Sequence, residues 1–437
     1  MPGCRWGAGP AGSPGQEELP RNALSSIPHR PAPRAAPGFA PGSAGADFWR
    51  LLFAGFAIFT VRWGETLAAA VFVFQRTHSP FLVAMMTMLR LLPMGLFGAP
   101  IGAWAERVPR RAALAATILA MGATSAILAG LALAGRLAVW ELAVGSFING
   151  LGWAADNPVR RVAMGEAVGS ERMGRAMSLD VAATTGSRML GPAIGGALLA
   201  AGGIGAVFAL SVLLYATALA ASLMTAAGEA PLPHSGASVL GGIVEGLRCV
   251  RRDRRLFGVL TVTVIYNVFA WPFTSMVPVI ATTDLHLGAA ATGVLASMDG
   301  VGAFIGAILL AVLLRRRHFA RAYMGGVISY TVLLMVFAVT PRPFLAGAVL
   351  VATGLGGAGF SVMQATLVYL FAPAEMRGRM LGVLSVCIGV GPVGFVLIGL
   401  AADAVGARAA TLGTGAAGLV ALALTWPWWR GIGREAA

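Results

Sequence analysis

Six ionisable residues lie inside long apolar stretches of the sequence, where charge is rare. A single Arg at the centre of a bilayer costs about 3 kcal/mol on insertion scales. Three without partners would cost about 9 kcal/mol, which is comparable to the whole stability of a domain. The three basic and three acidic residues are therefore expected to pair or to face a cavity. They are Arg62, Arg90, Arg188, Glu65, Asp180 and Asp299.

Glu65 is the predicted proton carrier, and Asp299 is the second choice. A carboxylate removed from water can take up a proton near neutral pH. Arg62 and Glu65 share one face of a helix, as do Asp180 and Arg188, and a neighbouring Arg favours the charged carboxylate. Proton and substrate would then compete for one site, as antiport requires. The alternative is a purely structural set of ion pairs.

The second half of the sequence lacks most of these charges. Asn267 takes the place of Arg62 there and is added to the predicted proton and substrate site. Pro272 and Pro278 follow within the same apolar stretch and predict a bent or broken helix. The polar site is therefore expected mainly on the first half, facing an apolar wall.

Other chemistries find little support in the sequence. Three cysteines stand far apart and five histidines are scattered, so neither a metal site nor a disulfide framework is predicted, and no cofactor is expected. The chain has no Lys, which makes the phosphate-binding loop G-x-x-x-x-G-K-[ST] impossible and excludes an ATP-driven pump in this chain. No nucleophile–base pair points to an enzyme.

The composition is that of a membrane protein. Of 437 residues, 57% are hydrophobic and 11% are charged, whereas a soluble domain has roughly 25% charged residues. Because about 20 apolar residues cross a bilayer, the sequence predicts an all-α protein with twelve transmembrane helices. The predicted spans are 48–74, 81–103, 112–134, 138–156, 175–200, 204–226, 256–281, 289–313, 320–340, 344–370, 380–402 and 409–429.

The sequence repeats itself at an offset of 204 residues. Gly98 and Gly102 recur as Gly302 and Gly306. Two similar apolar halves are typical of secondary transporters. The predicted domains are a disordered cytoplasmic tail over 1–46, an N-terminal six-helix bundle over 47–226, a cytoplasmic linker over 227–254, a pseudo-symmetric C-terminal six-helix bundle over 255–430 and a cytoplasmic tail over 431–437.

Arginines alternate between the predicted loops. Loops on one side carry twenty of them, and those on the other side carry four, namely Arg76, Arg136, Arg342 and Arg408. Cytoplasmic loops of membrane proteins are enriched in basic residues. This pattern predicts a multi-pass protein of the plasma (inner) membrane with both termini in the cytoplasm. It also argues that the net charge of +14 does not indicate nucleic-acid binding.

The segment from Gly102 to Arg111 connects the second and third spans. It resembles the signature loop G-x-x-x-D-R-x-G-R-R of the major facilitator superfamily, with Glu106 for Asp and Pro109 for Gly. The expected role is a cytoplasmic latch, in which Asp156 at the end of span 4 pairs with Arg110. The alternative is an ordinary basic loop. The predicted latch residues are Gly102, Glu106, Arg107, Arg110, Arg111 and Asp156.

Two glycine and proline clusters lie in spans 5 and 11. The first resembles the G-P-x-x-G-G motif of exporters in that superfamily, and the second is a looser counterpart. Proline removes a backbone donor and allows a bend, and glycines allow close helix contact. Simple packing of glycines is the alternative. The residues are Gly191, Pro192, Gly195, Gly196, Gly391 and Pro392.

The stretch 147–196 is similar to one branch of the superfamily, which contains the enterobactin-exporter-like and DHA3-type drug–proton antiporters, and a general resemblance covers 47–430. The resemblance implies an exporter of amphipathic small molecules, drugs or siderophore-like compounds, driven by proton entry. The alternatives are an importer of a nutrient or lipid with the same fold and a membrane-embedded enzyme. Expected partners are the substrate, protons and the bilayer, and the fold can work as a monomer.

Overall fold

Every regular element that the computed structural model describes is a helix. The predicted tail over 1–46 and the linker over 227–254 lie almost entirely outside the described residues. The helices are α1 (Ser43–Thr77), α2 (Pro80–Arg107), α3 (Arg110–Leu133), α4 (Val139–Val168), α5 (Met173–Leu223), α6 (Arg254–Ile265), α7 (Val277–Thr283), α8 (Ala289–Leu313), α9 (Phe319–Val339), α10 (Pro343–Phe371), α11 (Arg377–Ile388), α12 (Gly391–Val405), α13 (Ala407–Leu424) and α14 (Trp426–Trp429). The structure describes residues 43–169, 172–226, 245, 248, 250, 251, 253–373 and 376–432, without the side chains of 43, 44, 99, 100 and 102–107.

Ten described stretches are long and apolar enough to cross a membrane. One of them is the 51-residue α5, which suffices for two spans. The 30-residue α4 is not among the ten, and it carries five charged side chains. The all-α membrane fold is confirmed, while the number twelve and the domain boundaries stay predictions. The first half means α1–α5 below, and the second half means α6–α14.

The break inside α5 falls at two glycines between the predicted spans 175–200 and 204–226. Gly202 and Gly203 leave the helical conformation, and Gly203 has a φ of +69°. A positive φ is accessible to glycine because it has no Cβ. The long helix therefore turns back on itself with almost no connecting loop.

The predicted break in the seventh span is confirmed. After α6, the chain forms a π-helical turn over Tyr266–Ala270 and a 3-10 turn over Trp271–Ser275 before α7 begins. Pro272 and Pro278 have no N–H to offer the helical ladder, which explains an irregular path here. The eleventh span is interrupted as well, because α11 ends at Ile388 and α12 begins at Gly391 with a proline in its first turn.

The two halves meet mainly where α5 crosses α8 and where α2 crosses α12. Both crossings depend on glycine. A Cβ added to Gly196 would lie 2.7 Å from Gly293 Cα, and one added to Gly399 would lie 3.1 Å from Phe81 Cα. Backbones in direct contact leave no room for a side chain, so these crossings are the tightest form of helix packing.

The molecule has two ends that the connections between helices define. The turn end contains the short connections near 78, 136, 203, 286, 341 and 406. The arginine-rich end contains those near 109 and 315, together with the C-terminal ends of α4 and α10. Gly196, Gly293 and Gly399 all lie within the part of their helices that is nearer the turn end, and the contact between α5 and α8 continues to Gly300 near the middle of α8, where an added Cβ would lie 2.7 Å from the Arg188 carbonyl oxygen.

Candidate functional site

A cavity of about 90 Å³ lies between the two halves. The first half contributes most of its charge, through α1, α2 and α5, while the irregular part of span 7 and α8 form much of the opposite wall. The lining combines charged, hydroxyl and apolar side chains, among them Arg62, Trp63, Thr66, Leu67, Thr87, Arg90, Leu91, Arg188, Trp271, Phe273, Pro278, Asp299 and Leu350. A largely apolar lining with a few charged and hydroxyl groups is typical of sites that bind small amphiphilic molecules.

Glu65 is held behind this cavity by three donors from three other helices. Its carboxylate accepts from Arg90 Nη2 at 2.6 Å, from Ser125 Oγ at 2.7 Å and from Asn149 Nδ2 at 3.1 Å. The side chain is buried and does not line the cavity. The contacts tie α1 to α2, α3 and α4, so they hold the first half together.

Arg62 does not pair with Glu65, although the two residues share a helix face as predicted. Arg90 reaches Glu65 from a second helix, and the guanidinium of Arg62 instead lies 3.7 Å above the ring centroid of Trp153. Its Nη1 is buried without a hydrogen-bond partner, and no carboxylate pairs with it among the described residues. Two residues on one helix face lie near each other, but a residue on another helix can still form the shorter hydrogen bond, as Arg90 does with Glu65.

Arg188 and Asp299 form an ion pair across the two halves, joining α5 to α8. Both residues line the cavity. Asp299 keeps one carboxylate oxygen, Oδ1, buried without a hydrogen-bond partner. The guanidinium carbon of Arg188 lies 5.4 Å from the ring centroid of Trp63. The pair is therefore a charged link between the halves inside the cavity wall.

Asp180 lies away from this cavity, which corrects the prediction that placed it in the site beside Arg188. Its carboxylate accepts from Arg160 at 2.7 Å and from Arg161 at 2.9 Å, and Arg160 also contacts Asp156 at 3.2 Å. Eight residues span about 12 Å along a helix, too far for Asp180 to reach Arg188. The buried network instead joins α4 to the start of α5.

Asn267 is also absent from the cavity. Its amide nitrogen donates to the Thr263 carbonyl at 2.8 Å, one turn earlier in the same span. The side chain is buried at the start of the π-helical turn. A buried side-chain amide needs a hydrogen-bond acceptor, and the nearest one is the backbone carbonyl of the preceding helical turn. The Asn267 side chain therefore bonds within its own helix and does not reach the cavity.

The predicted latch is only partly described. Arg110 pairs with Glu166 and not with Asp156, so the predicted partner was wrong: Arg160, one turn from Asp156 on α4, occupies that carboxylate. Arg111 is exposed at the start of α3. The surroundings of Gly102 and the side chains of Glu106 and Arg107 lie outside what the structure describes.

The glycine and proline clusters differ between the halves. Gly191 and Gly195 pack against α1, where a Cβ on Gly195 would lie 2.7 Å from the Gly64 carbonyl, and Gly196 packs against α8. The helix continues through Pro192. In the second half, Gly391 and Pro392 begin a new helix.

Asp403 at the turn end is a link between the halves that the sequence did not reveal. Its carboxylate accepts from Ser79 Oγ at 2.9 Å and from the Phe81 backbone N–H at 2.8 Å, at the N-terminus of α2. The Ser79-Pro80 pair is a recognisable helix start. Its partner lies more than 300 residues away, and no local pattern indicates such a contact.

Ser125, Asn149 and Trp153 were likewise not assigned from the sequence. Their only signal was a polar or aromatic side chain inside an apolar span. No group of three or more His, Cys, Asp or Glu side chains that could hold a metal ion occurs within the part of the chain that the structure describes.

Similar proteins place this architecture in a family. The family model described as "Transmembrane secretion effector" matches residues 37–428. The chain is 22% identical to macrolide efflux protein A of Streptococcus pyogenes, over 82% of this chain and 91% of that protein. It is 27% identical to the multidrug efflux pump Tap of Mycolicibacterium fortuitum, over 83% and 91%.

Solved structures show the same fold at low sequence identity. An inward-facing, unoccupied bacterial homologue of the human lysosomal transporter Spinster superposes with a TM-score of 0.69 at 15% identity, covering 90% of this chain and 98% of that chain. A POT family transporter in complex with a thioalcohol-conjugated peptide gives a TM-score of 0.73 at 12% identity, covering 88% and 96%. The predicted resemblance is thus confirmed. The chain belongs to the transmembrane secretion effector family of the major facilitator superfamily, and it is a multi-pass membrane transporter of small molecules, not an enzyme.

Proposed function

We propose that the protein exports amphipathic small molecules across the plasma (inner) membrane in exchange for protons, by alternating access. The observation that carries the proposal is the cavity between the halves, whose wall contains the cross-half pair Arg188–Asp299. The efflux function of the two curated relatives supports the outward direction. The arginine-rich end is the cytoplasmic end in this proposal, with both termini there.

Asp299 is the proposed proton carrier. It lines the cavity and keeps one oxygen unpaired, whereas three donors already occupy Glu65. A proton that binds Asp299 removes the charge that holds Arg188, and this weakens the link between α5 and α8. Proton binding is thereby coupled to the separation of the halves.

The energy available suits this function. A proton that crosses about 150 mV releases roughly 3.5 kcal/mol. That free energy sustains a concentration gradient of a few hundredfold for one exported molecule. An exporter that exchanges one proton for one substrate therefore needs no further energy source.

The test uses inverted membrane vesicles, in which export is measured as uptake. A panel of fluorescent amphiphiles is followed while an inside-acid pH gradient is imposed and then collapsed. Wild-type uptake is expected to fall when the gradient collapses. Asp299→Asn is expected to lose accumulation driven by the gradient, while it still exchanges internal for external dye. Glu141→Gln is the matched control, because Glu141 caps α4 at the turn end.

Three outcomes would contradict parts of this proposal. Accumulation that survives in Asp299→Asn but is lost in Glu65→Gln would assign the proton to Glu65. Accumulation that is insensitive to the gradient in the wild type would refute proton coupling. Transport of the dyes only out of inverted vesicles would indicate an importer.

A further inference from the structure

We infer that the central cavity selects amphiphiles that carry a negative charge. The inference rests on the proposed export function and adds the chemical class of the substrate. It comes from an imbalance of charge in the cavity that the sequence did not predict, because the three Arg and three carboxylates of the apolar stretches balance in number.

The imbalance follows from the observed partners. Arg90 pairs with Glu65, and Arg188 pairs with Asp299. Since Asp180 belongs to the separate network with Arg160, Arg62 remains as a cation without a carboxylate among the described residues. The excess does not depend on the proton, because protonation of Glu65 or Asp299 makes the cavity more positive.

The surroundings of Arg62 leave it ready to bind an anion. Trp153 covers one face of its guanidinium, and Nη1 has no acceptor. Stacking uses the face of a guanidinium, whereas its N–H groups point outward in the plane and match a carboxylate, sulfonate or phosphate. The Arg62 backbone is also fixed, since its carbonyl accepts from Arg90 Nη1 at 3.0 Å and from Thr66 Oγ1 at 2.7 Å.

The rest of the cavity suits the apolar part of such a molecule. Trp63, Leu67, Leu91, Trp271 and Phe273 line it beside Arg62. A cationic amphiphile of the same size would fill this space but would meet an uncompensated positive charge in a medium of low dielectric constant. The cavity therefore discriminates by the sign of the charge and not by size.

The same charge assignment affects the driving force. Entry of a proton and exit of an anion both carry positive charge into the cell. The membrane potential, negative inside, then drives the exchange together with the pH gradient.

The experiment compares two dyes that share a xanthene scaffold, the net anionic sulforhodamine B and the cationic rhodamine 6G. Binding to the full-length protein in detergent is measured by equilibrium dialysis, and uptake is measured in inverted vesicles. The wild type is expected to bind sulforhodamine B at least about tenfold more tightly than rhodamine 6G. Arg62→Gln should abolish the preference, while Arg136→Gln, an exposed residue of the turn end, should keep it.

A second variant changes the charge without touching Arg62. Thr87 lines the cavity from α2. Thr87→Glu adds a carboxylate that balances the excess cation and should abolish the preference for sulforhodamine B, whereas the neutral Thr87→Gln should keep it. This pair keeps the test decisive if Arg62→Gln fails to fold.

The outcomes separate the two proposals. Equal binding of both dyes by the wild type, or an anion preference that survives in both Arg62→Gln and Thr87→Glu, would overturn the charge selectivity whatever is transported. Selective binding of sulforhodamine B with no uptake of either dye under any gradient would uphold the selectivity and refute the export function. Gradient-driven uptake of rhodamine 6G in preference to sulforhodamine B would support the export function and refute the selectivity for anions.

Discussion

The two halves of this transporter share a fold but differ in what fills their interiors. In the first half, Glu65 and Arg90 form a buried ion pair that Ser125 and Asn149 complete. The corresponding region of the second half contains stacked aromatic rings. The ring centroids of Tyr266 and Phe360 lie 3.7 Å apart, and the rings of Tyr330 and Tyr323 pack against this pair. Similar helix positions are thus stabilised by two different kinds of interaction.

The comparison shows that the repeat constrains the placement of the helices more than the chemistry of the core. A buried ion pair requires all its partners in place, because a lone buried charge is costly. Aromatic packing tolerates local change, since each ring pair contributes only about 0.5–1.5 kcal/mol beyond burial. The first half is therefore the one suited to respond to charge, and the second half supplies the opposing wall.

The largest expected effect tests the ion pair of the first half. Glu65→Leu leaves the buried Arg90 cation without its carboxylate and should cost about 3–5 kcal/mol of unfolding free energy. Adding Arg90→Met should recover most of that loss, because neither charge then remains. Unfolding in mixed micelles by titration with dodecyl sulfate measures both. A double variant that is no more stable than Glu65→Leu would argue that the pair itself contributes little to the difference between the halves.

A smaller effect is expected from the matched glycines of the two Gly-Pro motifs. A Cβ on Gly191 would lie 2.6 Å from Trp63 Cβ, whereas one on Gly391 would lie no closer than 3.4 Å to the Trp271 ring. Gly191→Ala should therefore cost about 1–3 kcal/mol by overpacking. Gly391→Ala should change stability by less than about 0.5 kcal/mol. The same unfolding assay compares them, and equal losses would mean that the halves pack alike at these motifs.

The smallest effect concerns a hydroxyl in the aromatic core. Tyr323 Oη donates to the Val259 carbonyl at 2.9 Å and lies 3.0 Å from Thr263 Oγ1. Tyr323→Phe keeps the ring and should cost about 1 kcal/mol. Tyr369→Phe, at an exposed position, serves as the control. A loss as large as that of Glu65→Leu would show that the second half also depends on buried polar contacts.

Much of the fold could be predicted from the sequence, because hydropathy depends on composition along the chain. The predicted spans overlap the described helices, including the break near Gly203 and the irregular span around Pro272 and Pro278, although α4 continues twelve residues past the predicted end at 156. Glycine and proline act within their own few residues, through φ and the missing N–H. Such local effects can be predicted from the sequence without knowing which helices pack against each other.

The partners of the charged residues were less predictable. The sequence identified Arg62, Glu65 and Arg90 as members of one group but did not show that Arg90 is the partner of Glu65, and it placed Asp180 in the wrong network. Choice of partner depends on how each helix is rotated and where it crosses its neighbours. Because Glu65 pairs with Arg90, Arg62 has no carboxylate partner among the described residues. No periodicity in the sequence indicates that outcome.

The contact of Gly196 with Gly293 gives the molecule a mechanical asymmetry. Gly293 stands near the start of α8, and Leu313 at its far end is about 30 Å away at 1.5 Å per residue. The backbone contact with α5 continues to Gly300 but not beyond it, so the last 13 residues of α8, about 20 Å, extend past the crossing. A rotation of one degree about Gly293 would move Leu313 by about 0.5 Å while the turn end stays almost in place.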